Sequence, residues 1–262
     1  MTPAAWQALF AAAAQPPVAP RRPLIVAGAA VGSIEAALAE QLLAADLPLW
    51  ATAAGAIAVD GPTDAALALV ADWLRDQGHA GRWRDELLPV LDERHNPVAR
   101  IERAAVRPLG IATHAVHLIG WAGEPAGAFQ WLQLRAMDKA TDPGLWDTMV
   151  GGLVAAGETP MQSLERECWE EAGLRLAELG PLQAAGIVTV RRPVQGSGTG
   201  GYMVEHIHAM HCTVPPGSVP DNRDGEVERF ECVPATEVAT RIGAGAVTLE
   251  AALVIGRCSV AC

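Results

Sequence analysis

One segment, GLVAAGETPMQSLERECWEEAGL from Gly152 to Leu174, constrains this chain more than any other. Thr159 is a good helix N-cap, Pro160 suits the first helical position, and Gln162 three residues after Thr159 completes a capping box. Gly173 is the natural stop, so the spacing predicts a helix over about 160–172. On it Met161, Leu164, Cys168 and Ala172 recur every three or four residues and form a core face. Glu167, Glu170 and Glu171, at i, i+3 and i+4, converge on another face, where three like charges repel. A divalent cation removes that repulsion, and hard oxygen ligands on one helix suit Mg²⁺, or Mn²⁺, holding waters and a substrate's phosphates. Taken alone, an acidic helix face is more often simply solvated. The surrounding residues decide the matter.

Composition sets the outer limits. The chain has 262 residues, 50% hydrophobic and 19% charged, with a formal charge of −11. High apolar and low charge content exclude disorder, and the length suffices for one large domain or two modest ones. An acidic protein without a basic patch is a poor nucleic-acid binder. No stretch near 20 residues is apolar without breaks or charges, so no membrane span is expected. Five cysteines, Cys168, Cys212, Cys232, Cys258 and Cys262, are odd in number and form no CxxC pair. Scattered thiols suit a reducing compartment, and MTPAAWQALFAAAAQPP reads as a short amphipathic helix ending at Pro16-Pro17 because no Lys or Arg precedes its Ala-rich stretch. The expected location is the cytoplasm.

The first 112 residues read as a small α/β unit without visible chemistry. PLIVAGAAVGSI (23–34) is expected as a buried strand and turn, SIEAALAEQLLAA (33–45) as a helix capped by Ser33, and WATAAGAIAV (50–59) as one extended run. Thr63-Asp64 opens a helix to Gln77 that stops at Gly78, and residues 86–108 alternate between extended and turned. Gly28 and Gly32 lack the spacing of a nucleotide-binding loop and mark a plain turn. In the second half, 113–122 and 128–136 are β-prone runs forming a hairpin, and 186–190 and 202–213 are further strands. His206, His208 and His211 in the last of these show no convincing ligand spacing and are taken as structural. The Gly-rich QGSGTGG (195–201) is read as a mobile loop near the site.

Gly152, Glu158, Arg166, Glu167, Cys168, Glu170, Glu171, Gly173 and Leu174 fall at the positions of G-x5-E-x7-R-E-U-x-E-E-x-G-U, and on them the chain resembles the Nudix hydrolases. Cys168 stands where an aliphatic residue is usual, and a buried thiol packs as a small hydrophobe. The resemblance implies an α/β class fold: a Nudix α/β/α sandwich with a mixed sheet over 113–262, preceded by a small α/β N-terminal domain over 1–112. It implies that Glu167, Glu170 and Glu171 bind Mg²⁺ (or Mn²⁺), with the Gly152 carbonyl a further ligand. Arg166 and Glu158 would hold the loop against the helix. The implied reaction is substitution at phosphorus by water, with a carboxylate accepting the proton. Glu167 is one candidate base. The other is Glu226 in DNRDGEVERF, preferred over Glu205, Glu228 and Glu231.

The segments 101–121, 132–158 and 224–230 resemble more narrowly the Nudix domain fused to thiamine pyrophosphokinase in fungi, and stand-alone relatives with an N-terminal domain of uncharacterised function. That resemblance implies hydrolysis of thiamine diphosphate or its oxidised derivatives to the monophosphate and phosphate. Arg135, Lys139 and Arg191, beside Arg192, are expected to meet the diphosphate, and Trp146, with Trp121 and Trp131 as alternatives, to stack on a flat ring. The alternatives are a pyrophosphatase of nucleotide-type substrates (ADP-ribose, NADH, coenzyme A), an isopentenyl-diphosphate isomerase, disfavoured by the intact box, or a non-catalytic Nudix binding module. The expected partner is a small-molecule diphosphate, with neither nucleic acid nor membrane, and a homodimer is compatible.

Overall fold

Short apolar runs separated by Gly and Pro build the first layer of this computed structural model, which describes residues 3–123, 128–139, 141–194 and 201–261. After helix α1 (Pro3–Ala13) come β1 (Arg21–Val26), β2 (Ala29–Glu35), α2 (Ala36–Ala44), β3 (Leu49–Ala51), β4 (Ile57–Val59) and α3 (Thr63–Asp76). The sheet order is β2-β1-β4-β3, with β1 and β4 parallel. Leu24, Val26, Ile34, Leu38, Leu42, Leu67 and Leu74 fill its core against the helices. The hairpin β5 (Leu87–Leu91) and β6 (Pro97–Glu102) follows, then a 3-10 turn over 103–105.

Two local expectations change here. Residues 29–34, expected as a turn leading to a helix capped by Ser33, form the second arm of a hairpin: Ser33 lies inside β2, where its hydroxyl accepts a 3.0 Å bond from Arg21 Nε. Helix α2 begins only at Ala36, and its N-cap residue, Glu35, makes no side-chain cap bond. Gly32 is required there by a close approach, since a Cβ would sit 2.6 Å from the Leu109 carbonyl oxygen. The run 50–59 is likewise two strands around a turn at Gly55 (φ +80°).

The second layer holds β7 (Ala112–Ala122), β8 (Phe129–Arg135), β9 (Trp146–Asp147), β10 (Val150–Leu153), α4 (Pro160–Ala172), β11 (Gln183–Pro193), β12 (Tyr202–Thr213), β13 (Val227–Pro234), α5 (Ala235–Gly243) and α6 (Leu249–Ala261). The main path of the seven-stranded sheet is β11-β12-β7-β8-β13, with β10 on β7 and β9 on β8. The β12–β7 pair is parallel and the others antiparallel, so the sheet is mixed. Strand β7 is apolar along most of its length because both faces are covered. Ala115, Ile119 and Trp121 pack in the core that includes α6 residues, and Val116 and Leu118 in the core that includes Leu164, Cys168 and Ala172 of α4. An α/β/α sandwich with a preceding α/β unit results, as expected.

Helix α1 does not stay with the N-terminal unit. Ala13 is buried in the α6-side core, Gln15 N–H donates 2.9 Å to the Arg191 carbonyl, and Trp6 lies where a Cβ on Gly256 would meet it at 2.2 Å. The chain thus starts on the second layer, crosses to build the first, and returns through β7. No helix among the described residues is long and apolar enough to cross a membrane. Cys168 and Cys212 are unbridged thiols in the core under α4, and burial pushes both up to about 12.

Candidate active site

Strand β10 and helix α4 bring the Gly152–Leu174 segment to one end of the sheet. The helix runs over Pro160–Ala172 with the capping box formed: Gln162 N–H donates 3.3 Å to Thr159 Oγ1, and the Gln162 side chain accepts 2.9 Å from Thr159 N–H. Gly173 ends it at φ +63°. Leu164, Cys168 and Ala172 form the buried face, whereas Met161 is half exposed and is not part of it.

Arg166 organises the glutamates. Its Nε and Nη2 donate to the two oxygens of Glu158 at 3.0 and 3.1 Å, and Nη1 reaches Glu167 at 2.8 Å and Glu170 at 3.0 Å. The Glu158 carboxyl, bonded by Arg166 and at 2.5 Å by the Ser163 hydroxyl, stays below its usual range. The guanidinium therefore clamps the 154–159 loop onto the helix and neutralises two further carboxylates in the same stroke. Burial pushes the Glu167 carboxyl up to about 7 despite Arg166, with Glu170 and Glu226 adding repulsion.

Glu171 departs from the expected convergence. It is 1% exposed, turned beneath the site, and accepts hydrogen bonds from Gly151 N–H at 2.9 Å and Gln133 Nε2 at 3.2 Å. Burial pushes it up to about 8 although Lys139 Nζ lies 3.6 Å away. Helical spacing placed it beside Glu170, but the deeper position belongs to the side of α4 that meets β10. As the side chains stand, no three His, Cys, Asp or Glu among the described residues are spaced to enclose a metal ion. Of the three helix carboxylates, Glu167 and Glu170 line the cavity, and so does Gly152: a Cβ there would sit 2.1 Å from the Glu167 carboxyl carbon.

The cavity, about 340 Å³, collects most of the remaining expected residues. Arg135 bonds Asp147 at 3.1 Å and the Thr141 carbonyl at 2.9 Å, and Lys139 bonds Glu226. Glu226 is carried by a loop tied to the end of α4 through Asp221 N–H to the Ala172 carbonyl (2.8 Å) and Arg223 N–H to the Glu170 carbonyl (3.1 Å). Burial would raise the Glu226 carboxyl, but Lys139 outweighs it, Arg103 and Arg84 add to it, and the group lies below its usual range. Glu205 is buried on Arg107 (2.9 Å) and Thr113 (2.9 Å).

Two expected substrate contacts are corrected. Trp146 is 8% exposed in the α6-side core, with the guanidinium carbons of Arg241 and Arg229 at 4.3 and 5.2 Å from its ring centroid, and it does not line the cavity. Trp121 shares that core, and Trp131 packs against the core under α4. Arg191 is exposed on β11 and points away; its neighbour Arg192 lines the cavity and bonds Glu250 at 3.1 Å. Period-2 alternation makes one of two adjacent arginines face in, and sequence alone did not say which. The 195–200 part of the Gly-rich loop lies outside the described residues.

Sequence reasoning missed Asp147, His117 and Glu250 in the cavity wall, and three arginines, Arg84, Arg103 and Arg107, from the N-terminal unit. It also missed that His206 and His208 join His114 and His95, with His114 Nδ1 3.3 Å from His208 Nε2 and its ring 5.2 Å from that of His206. Burial and then its imidazole neighbours push His114 down to about 4.

A helix–loop clamp held by Arg166 and Glu158 beside a mixed sheet defines the build of the site. The sequence matches the NUDIX domain family over residues 115–251, and the chain belongs to that family. It is 33% identical to Nudix hydrolase 20, chloroplastic, of Arabidopsis thaliana over 178 residues, 68% of this chain and 46% of that protein. It is 31% identical to Nudix hydrolase 24, chloroplastic, of the same plant over 175 residues, 66% and 47% of the two. Both similarities run longer than the 115–251 segment, and the chain spans about half the length of these relatives. The crystal structure of DR0079 from Deinococcus radiodurans shares the fold, with a TM-score of 0.50 at 22% identity over 64% of this chain and 97% of that one.

Proposed function

We propose that this Nudix hydrolase cleaves a small-molecule diphosphate in a Mg²⁺-dependent reaction, with thiamine diphosphate or its oxidised derivatives as the leading substrate. The observation that carries the reading is that Glu167 and Glu170 line one cavity together with Arg135, Lys139 and Arg192. The donor set suits a hard cation. Two carboxylate side chains face the cavity with Arg166 as their shared counter-charge, and the space beside Gly152 that a Cβ would fill is taken by the Glu167 carboxylate. Glu167 and Glu170 would hold the ion, with the Gly152 carbonyl beside them, and Glu171 would contribute once released from Gly151. When bound, the ion neutralises the diphosphate and lowers the pKa of water.

The chain's own groups do the rest. Arg135 and Lys139 bind phosphoryl oxygens. Lys139 sits between Glu226 and Glu171, so turning toward the diphosphate frees Glu226 to accept the proton of the attacking water. The three segments that resemble the thiamine-linked branch all contribute to the cavity wall, through Arg103, Arg135 and Glu226 among others, which supports that substrate. With Trp146 in the core, the lining that could contact a ring includes His117, Leu153 and Met203. A second, adjoining cavity of about 940 Å³ favours as the other reading a larger nucleotide-type diphosphate such as ADP-ribose, NADH or coenzyme A.

The test is phosphate or nucleotide release with Mg²⁺ across thiamine diphosphate, its oxidised forms, ADP-ribose, NADH and coenzyme A, on wild type and Glu170→Gln. Thiamine-type preference, abolition by EDTA and a loss of orders of magnitude in the variant are expected. Preference for ADP-ribose would replace the substrate and keep the reaction. No turnover of any of these would overturn the reading.

A further inference from the structure

We propose that Arg84, Arg103 and Arg107 of the N-terminal unit form an oxyanion subsite that holds the second phosphoryl group of the diphosphate, so that this unit completes the active site. The inference rests on the diphosphate reading above. All three arginines line the cavity that contains Glu167 and Glu170, and all three also line the adjoining cavity, so they stand where the two meet.

Their positions are built rather than incidental. Glu102, 5% exposed, accepts hydrogen bonds from the backbone N–H of Arg84 (3.0 Å), Glu86 (3.1 Å) and Ala104 (3.3 Å), which pins the loop bearing Arg84 to the start of the 3-10 turn bearing Arg103. Arg103 N–H adds a 2.8 Å bond to the Glu86 carbonyl, and Gly81 N–H a 3.0 Å bond to the Ala104 carbonyl. The Arg84 side chain has no hydrogen-bond or ion-pair partner among the described residues, although its backbone is so firmly held. Arg107 uses Nη2 on Glu205 at 2.9 Å, while its buried Nη1 has no partner among the described residues. Arg103 shares its charge with Glu86 at 2.7 Å.

An unpaired guanidinium on a rigid loop and an orphan buried N–H at the same cavity wall need an acceptor. Forked donors of this kind match a phosphoryl group, and they line the same cavity as Glu167 and Glu170, where the other phosphorus would sit. Arg84 and Arg103 also both act electrostatically on Glu226, which places their charge at the reacting end of the cavity.

The test uses the full chain and two probes. Binding of inorganic pyrophosphate in EDTA is measured by calorimetry for wild type, Arg84→Gln, Arg84→Lys and the Arg84→Gln/Arg103→Gln double variant. KM and kcat are measured with Mg²⁺ on whichever diphosphate the wild type hydrolyses. Arg107→Gln is made only with Glu205→Gln, since alone it strands a buried carboxylate. Arg84→Gln is expected to weaken pyrophosphate binding ten- to a hundredfold and to raise KM similarly with kcat within threefold, Arg84→Lys recovering part of the loss, all at wild-type Tm. Wild-type pyrophosphate affinity in the double variant, or no pyrophosphate binding by the wild type, overturns the subsite even if hydrolysis is normal. Loss of pyrophosphate binding in the variants of a chain that hydrolyses nothing upholds the subsite and overturns the hydrolase reading instead.

Discussion

Gly152→Ala separates a glycine kept for the reaction from one kept for the fold. Gly152 lies in strand β10, and the added Cβ would sit 2.1 Å from both the carboxyl carbon and Oε1 of Glu167 and 2.6 Å from its Cγ. Ordinary contact begins near 3.4 Å, so the Glu167 carboxylate must withdraw by about 1.3 Å. That group is the far end of a flexible side chain, and the backbone need not move. The 2.8 Å bond from Arg166 to Glu167 is lost, roughly 1 kcal/mol for a partly exposed pair, against about 0.5–1 kcal/mol gained from the reduced freedom of the unfolded chain. Stability should therefore change by no more than about 1 kcal/mol. The reaction should not tolerate the shift, because misplacing a reacting or ligating group by about 1 Å typically lowers rate on the order of a hundredfold. The assay is Mg²⁺-dependent turnover of the wild-type substrate, with Tm followed by circular dichroism. A second comparison adds the substitution to Glu167→Gln, where it should lower the rate little further, since the carboxylate is already gone. Full activity in Gly152→Ala, or full additivity with Glu167→Gln, would refute the reasoning.

Three further outcomes are expected. Thr159→Ala removes the capping box and should lower stability by about 1 kcal/mol, read as a shifted urea midpoint, with kcat little changed. Trp146→Ala should destabilise by roughly 3–5 kcal/mol through loss of a core ring; unchanged stability with weakened substrate binding would return this tryptophan to the site. His114 titrates at about 4 when folded instead of near 6.5, so the unfolded chain takes up that proton first. Its contribution is complete above about pH 6.5 and is lost as pH falls toward 4, amounting to about 2 kcal/mol after allowance for screening at the exposed His95 edge. His114→Leu should flatten the pH dependence of the urea midpoint in that window, and an identical slope would dismiss the cluster.

Local signals were strong wherever neighbours in sequence are neighbours in space. Thr159, Pro160, Gln162 and Gly173 specify the helix through bonds spanning a few residues, and all of those bonds form. The same segment identified the family and the Arg166–Glu158 clamp, because i to i+8 across one loop is still a local relation. Reading failed where a residue's environment is supplied from elsewhere. Glu171 looked like a third cavity-facing carboxylate until β10 and Gln133 of β8 buried it, and Trp146 looked like a stacking surface until Arg229 and Arg241 closed over it. Ser33 had the chemistry of a cap, but pairing with β1 held it in a strand.

By itself, then, the sequence determined the helix, its clamp and the family, all written in short-range spacing. Only the tertiary structure decided which of two adjacent arginines faces the cavity, that α1 packs against α6, and that Arg84, Arg103 and Arg107 share one cavity with Glu167. The physical reason is one of range. Capping and helix-face relations are set within a turn or two of chain, whereas a cavity wall is assembled from segments some 80 residues apart, whose meeting depends on which apolar faces are buried against each other.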